Sequence, residues 1–398
     1  ARLGISLLRH HRGRNSFGGG GRGVAIAAGT TAVLHLPTFA YVSSAGFNKV
    51  EVLRIDATTG ALAAAGTLTD GIAGPAGAAI DPLGRFAYVA NKGGSNVTGY
   101  TVHAATGALT RVPGSGTVVP SLLPGGSFTL VPPAAVVTDS SGRFTYVASP
   151  GTDEVSAFAF HAVSGVLSAV LCTGNINCSA GVPNRVKLSP LAGVNFGPGS
   201  LAFDPAGRFI LTANRLHSTS HALSIHPVTG AHSDAGSSVA GPGPYALAIS
   251  PTRPFVYFAL LGSDSVVACR VSAFGSWGNC ETPVAAGTDP FSVTVDPTGR
   301  FAYAANALSD DISAYAIDDT GGVLTEIACG APAVCNGNRY MATGSTWSVT
   351  VDSSGQFLFA AGPTTTSAFG IDAATGTLTL IGSVPVSGEF ITSAGRIQ

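Results

Sequence analysis

Apolar residues along this chain fall in short alternating runs and nowhere recur at helical spacing. Stretches such as Phe291-Ser292-Val293-Thr294-Val295 and Phe86-Ala87-Tyr88-Val89-Ala90 are rich in β-branched and aromatic residues and end at clusters of Gly, Pro, Asp and Asn. That pattern predicts strands. Between the first and second run of a unit stands an Asp-Pro-x-Gly turn. Its Asp can accept from backbone amides, its Pro presets the second position and its Gly closes the turn. A third run, as in Asn96 to Val102, leads through a Thr-Gly turn into a fourth, as in Ala108 to Val112; the turn recurs at Thr59-Gly60, Thr106-Gly107, Thr229-Gly230, Thr320-Gly321 and Thr375-Gly376.

The unit is written seven times. Asp81-Pro82-Leu83-Gly84-Arg85-Phe86 returns as Asp139-Ser140-Ser141-Gly142-Arg143-Phe144, as Asp204-Pro205-Ala206-Gly207-Arg208-Phe209 and as Asp296-Pro297-Thr298-Gly299-Arg300-Phe301. Degraded copies begin at Ser250 and Asp352, and a seventh, Leu36 to Val42, lacks the Asp and the Gly-Arg. The repeat Phe stands at 39, 86, 144, 209, 255, 301 and 357, a basic period of 46 to 47. Four short antiparallel strands in such a period predict a propeller blade. The expected fold is therefore an all-β, seven-bladed β-propeller over residues 36–398. The first unit lacks a first strand, and Phe390 to Ile397 reads like a spare one, so the chain is expected to close its ring with a C-terminal strand and leave no open edge. Residues 1–35 belong to no blade and read as an N-terminal extension.

Composition narrows the function classes. Of 398 residues only 10% are charged, and the formal net charge is −1. That balance offers no basic footprint for nucleic acid, and no apolar run is long enough for a membrane span. The extension carries five Arg and no acid, leaving 15 basic against 21 acidic residues in the propeller. Opposite charges of this kind predict self-association through residues 1–35, with an intramolecular fold-back or an export remnant as alternatives.

The repeat units resemble the YVTN-type repeats of the seven-bladed lactonase family, which includes 6-phosphogluconolactonase. The resemblance covers residues 36–398 and implies the propeller fold and, as an activity, lactone hydrolysis. It also implies functional His and Arg side chains five and four residues before the turn Asp. Those positions here hold Ala134-Ala135, Gly199-Ser200 and Tyr245-Ala246, none a proton-transfer group of that kind, so no catalytic residue is assigned.

Other candidates follow the repeat. His103, His161 and His226 occupy the turn position held elsewhere by Asp56 and Asp318, and read as turn caps. Arg85, Arg143, Arg208 and Arg300 recur with the fold and read as structural. His217, His221 and His232 have no recognised zinc spacing, and no motif implies a metal or another cofactor. One asymmetry breaks the repeat: five positions before the turn, blades two to four carry Ala76, Ala134 and Gly199, whereas blades five to seven carry Tyr245, Phe291 and Trp347. These aromatics either plug the channel or form a mouth that binds a sugar or an apolar ligand. Excess residues after blades two, three and six are expected to follow the fourth strand and project from one face, with Asn177, Arg185, Lys187, Arg339 and Tyr340 as contacts.

Six Cys form three local couples, Cys172 with Cys178, Cys269 with Cys280 and Cys329 with Cys335. Read as disulfides they imply an oxidising compartment, so the expected location is extracellular, cell-surface or periplasmic. The sequence thus reads first as an exported, non-catalytic propeller serving as a binding or surface-assembly module without lactone turnover. The alternative is a lactonase-like hydrolase of the 6-phosphogluconolactonase family.

Overall fold

The structure is a computed structural model that describes residues 38–115, 132–171, 184–188, 197–272, 277–330, 333–386, 388 and 390–393. The expected extension, the couple Cys172–Cys178 and Asn177 lie outside the described residues. Seven antiparallel sheets are arranged as blades, with the innermost strands at Pro75–Ile80, Ala135–Thr138, Pro198–Phe203, Pro244–Ile249, Pro290–Val295, Ser348–Val351 and Phe390–Ser393. The last of these pairs with Thr38–Ser44, Tyr41 opposite Thr392, and lies beside both Pro75–Ile80 and Ser348–Val351. The C-terminal strand therefore completes blade one and closes the ring, as the spare strand motif implied.

The apolar core lies between blades rather than at one centre. Each of seven buried clusters joins residues of two neighbouring blades, the last joining Phe357 and Phe359 of blade seven to Ala40, Val42 and Leu53 of blade one. The repeat residues explain how neighbours are held in register. In blades two, three, six and seven the turn Asp accepts the amide of the repeat Phe, as in Phe86 N to Asp81 Oδ1 at 2.7 Å and Phe301 N to Asp296 Oδ1 at 2.7 Å. The repeat Phe lays its ring on the turn glycine of the next blade: Phe39 on Gly107, Phe86 on Gly165, Phe144 on Gly230, Phe255 on Gly322, Phe301 on Gly376 and Phe357 back on Gly60. Two residues on, a buried Tyr donates its hydroxyl to the carbonyl of that same glycine, at 2.9 Å for Tyr41, 3.0 Å for Tyr88, 2.8 Å for Tyr146 and 2.9 Å for Tyr303. Arg85, Arg143 and Arg300 reach the same turns through Ala162 O, Pro227 O and Ala374 O. Phe, Tyr and Arg of the repeat are one clamp.

The insertions of blades three and six differ from expectation, and most of the one expected after blade two lies outside the described residues. In blade three the outer strand stops at Leu167–Ala169 and resumes at Arg185–Lys187, both pieces pairing with the same third strand, Glu154–Phe160. Asn184 N bonds Val170 O at 2.6 Å and draws the two ends together. Blade six repeats the device, with Leu324–Glu326 and Arg339–Met341 both on Asp311–Ile317. The extra residues therefore interrupt the outer strand at the rim instead of following it. The proposed contacts Arg185, Arg339 and Tyr340 serve this edge: Arg185 pairs with Glu154 at 3.1 Å, Arg339 donates to Ala286 O, and Tyr340 is buried and donates to Ala328 O. The outer edge also carries disulfides Cys269–Cys280 and Cys329–Cys335.

His232 seals the boundary of blades three and four. Its ring is buried, edge-on to Tyr146, with Nε2 2.9 Å from Val155 O, while Nδ1 has no hydrogen-bond partner. Burial pushes its pKa down to about 4, against the favourable carbonyl.

Two predictions follow from these interfaces. Gly165 has φ +70°, and a Cβ there would stand 2.4 Å from the Phe86 ring, so Gly165→Ala is expected to cost about 2–4 kcal/mol from left-handed strain plus overlap. Tyr88→Phe, which keeps the ring and loses one hydrogen bond, is expected to cost about 1 kcal/mol. Urea unfolding of both variants checks the order; equal midpoints would remove the clamp's importance. For His232 the folded pKa lies below the unfolded value, so its contribution is complete above about pH 6.5 and shrinks as pH falls toward 4. Between pH 7 and 4.5 the wild type should lose about 2 kcal/mol more stability than His232→Gln; parallel losses would refute this assignment.

Candidate functional site

The site is built where seven first strands converge. Crowding demands small residues: a Cβ on Gly77 would lie 3.3 Å from Ala134 O of the next blade. The central cavity, about 230 Å³, is lined by Ala76, Ala134, Gly199, Ser200, Tyr245, Phe291, Ser292, Ser348 and Thr392 among others. Among the described lining residues there is no carboxylate, imidazole, ammonium or guanidinium.

A recurring bulge decides which side chains reach the mouth. In blades two, four, five and six a residue with positive φ (Gly74, Gly197, Gly243, Asp289) precedes a proline, and the register then slips by one residue. The bulged residues are Ala76, Gly199, Tyr245 and Phe291. A bulge leaves its residue out of the ladder and re-aims the side chain, so Tyr245 and Phe291 are turned toward the channel, while Trp347, whose amide bonds Ala361 O, stands in a strand without such a slip. Tyr245 and Phe291 stack with centroids 4.3 Å apart, and Phe291 and Trp347 stand 5.9 Å apart. Tyr245 and Phe291 line the cavity itself; Trp347 extends the arc beside it. The three aromatics are thus contiguous, opposite the small side chains of blades two to four.

Sequence reasoning missed Arg215. It follows the second strand of blade four, Phe209–Asn214, and its guanidinium carbon lies 5.6 Å from the centre of the Tyr245 ring. The guanidinium is exposed and has no acidic partner among the described residues. The signal was available: six positions after the repeat Phe, other blades have Ala45, Lys92, Pro150, Leu261, Ala307 and Pro363. Only one of those, Lys92, is a cation.

The histidines stand elsewhere. His103 accepts or shares a proton with Thr106 Oγ1 at 2.9 Å, and His161 and His226 accept turn amides of Ser164 and Thr229. Asp56 does the same work, and the amides of Thr59 and Thr58 hold its carboxyl below the usual range. His221 pairs with Asp234 at 3.2 Å inside blade four, His232 lies at a blade boundary, and His217 shares the exposed turn of Arg215. Among the described residues there is no group of three metal-ligating side chains and no helix long and apolar enough to cross a membrane.

Comparison with known proteins places this architecture. The family model described as Lactonase, 7-bladed beta-propeller matches residues 26–122, 196–335 and 240–391. No curated protein sequence matches significantly. Among solved structures, a putative 6-phosphogluconolactonase of Bacteroides fragilis aligns with TM-score 0.70 and 18% identity over 92% of this chain and 99% of its own. The periplasmic gluconolactonase PpgL of Pseudomonas aeruginosa aligns with TM-score 0.69 and 18% identity over 91% and 100%. A putative 6-phosphogluconolactonase of Bacteroides uniformis gives 0.67 and 16% over 90% and 100%. At such identities the likeness is one of fold. The family match, however, extends over most of the ring, and on it this chain belongs to the seven-bladed β-propeller lactonase family.

Proposed function

We propose that the protein is a lactonase-like hydrolase that takes an uncharged lactone at the mouth of its central channel. The observation that carries the reading is Arg215 seated on Tyr245, beside the aromatic arc of a lactonase-family propeller. The lactone ring stacks on the arc. Water bonds to the carbonyl carbon, the ring C–O bond breaks, and the alkoxide takes up a proton, giving a hydroxycarboxylate and one released proton. Arg215 supplies positive charge where the carbonyl oxygen becomes an oxyanion. The uncharged lining disfavours drawing a phosphate into the channel, which argues against a phosphorylated sugar lactone. This reading replaces the non-catalytic surface module first expected from the sequence. Two disulfides support export, because such bonds persist in oxidising compartments, and the like-folded PpgL is a periplasmic enzyme.

A second reading, ligand binding without turnover, is favoured by one fact: the described lining supplies no general base. Proton release in a pH-stat, over a panel of neutral lactones, separates the two. Hydrolysis is expected above the uncatalysed rate, with Arg215→Gln lowering kcat/KM by about 10²-fold. Binding with no hydrolysis of any lactone would favour the second reading, and turnover indifferent to Arg215→Gln would end the role given to that residue.

A further inference from the structure

We infer that Ser43 is a binding residue of the channel and donates its hydroxyl to the carbonyl oxygen of the lactone; this rests on the reading of the channel as a lactone site. The position breaks the repeat. Four residues after the repeat Phe, the other six blades carry Ala90, Ala148, Ala213, Ala259, Ala305 and Ala361, all fully buried. Blade one carries Ser43, 1% exposed, and its Oγ has no hydrogen-bond partner among the described residues. Alanine fits this place six times, so the fold has no use for the hydroxyl, and a buried hydroxyl left unpaired costs stability. Residues that break a repeat without serving the fold are expected at functional sites. Thr145, Ser220, Ser250 and Thr346 also bear buried hydroxyls without a partner, but of these five residues only Ser43 lines the central cavity. The missing partner then belongs to the contents of the channel.

The neighbouring hydroxyls identify the kind of ligand atom. Ser43 stands opposite Phe390 in the strand pairing that closes the ring, and the next residue, Ile391, gives its amide to Ser348 Oγ at 3.4 Å. One blade back, Val349 N bonds Ser292 Oγ at 3.3 Å. Ser292 and Ser348 also line the cavity. Register puts all three at one level: Ser292 pairs with Ala305 and Ser348 with Ala361, the alanines whose place Ser43 takes in blade one. Ser200 of blade four shares that level. A hydroxyl has one proton to give. Where its oxygen already accepts an amide, that proton is left to donate. Blades six, seven and one thus offer successive donors, starting next to Phe291, and the group they suit is an oxygen that accepts and carries no proton, a carbonyl. Arg215 acts on that oxygen by its charge, from its turn; the hydroxyls act by contact.

Ser43→Ala tests the assignment with the residue the other blades use, so the variant is expected to fold. Two opposite changes are expected: a higher urea midpoint, because an unpaired buried hydroxyl is gone, and weaker ligand binding. Titrations followed by NMR compare γ-butyrolactone, cyclopentanone, which has the carbonyl and cannot hydrolyse, and methylenecyclopentane, which has the ketone's shape and no oxygen. Loss of one hydrogen bond should weaken binding of the lactone and the ketone about fivefold and leave methylenecyclopentane unchanged. The kcat/KM for the lactone should fall by at least the same factor. Unchanged affinity for the ketone, an equal loss for all three rings, a lowered midpoint, or no binding of either carbonyl ring to the wild type would each overturn the inference; the first is the result expected if Ser43 holds only a trapped water. If ketone binding responds as expected but no lactone is hydrolysed, the hydrolase reading fails and the Ser43 contact stands. Hydrolysis indifferent to Ser43→Ala gives the reverse.

Discussion

The ring depends on one contact repeated around it: an aromatic side chain of one blade pressed onto a glycine of the next. The glycine is needed twice, for its left-handed backbone and for the space its missing Cβ leaves to the ring. Because the Phe ring and the Tyr hydroxyl meet the same turn glycine, one position is held by dispersion and by a directed hydrogen bond. Burial keeps the phenols protonated well beyond their usual range, so the donor is present at any ordinary pH. Where Tyr is replaced, as by Leu211 and Phe359, the apolar contact remains and the hydrogen bond goes. The ring tolerates this because closure ties every blade to two neighbours.

This contact also explains why the fold was legible. Phe, Tyr, Gly and the turn Asp each recur at fixed offsets because each has a fixed geometric duty, so the period of 46 to 47 residues could be read directly. The outer strands were less legible. Pieces of three residues, such as Leu167–Ala169 and Arg185–Lys187, each pass for a whole short strand or for none. Only pairing to the common neighbour Glu154–Phe160 reveals one interrupted strand. The insertion was therefore placed after a strand that it divides.

At the channel, departures from the repeat were more telling than the repeat. Tyr245, Phe291 and Trp347 stood out as aromatics at positions that are small elsewhere, and the structure brings them together. What periodicity could not give was direction: alternation treats Tyr245 as an ordinary strand position, whereas a left-handed residue followed by proline makes it a bulge. Arg215 escaped notice because it belongs to a turn, where single charges are common, and its neighbour is 30 positions along the chain but one blade away.

The strand that completes blade one has a consequence for the order of folding. Its partner, Thr38–Ser44, is separated from Phe390–Ser393 by six whole blades, so this pairing spans the longest loop in the molecule and bears a large closure entropy. Blades two to seven rest on local hairpins and adjacent contacts, which form early; blade one is completed only after the others have set the distance between its two halves. Once joined, no blade is terminal, and the molecule cannot unravel from an end. Slow unfolding, rather than a large equilibrium stability, is the property this closure confers.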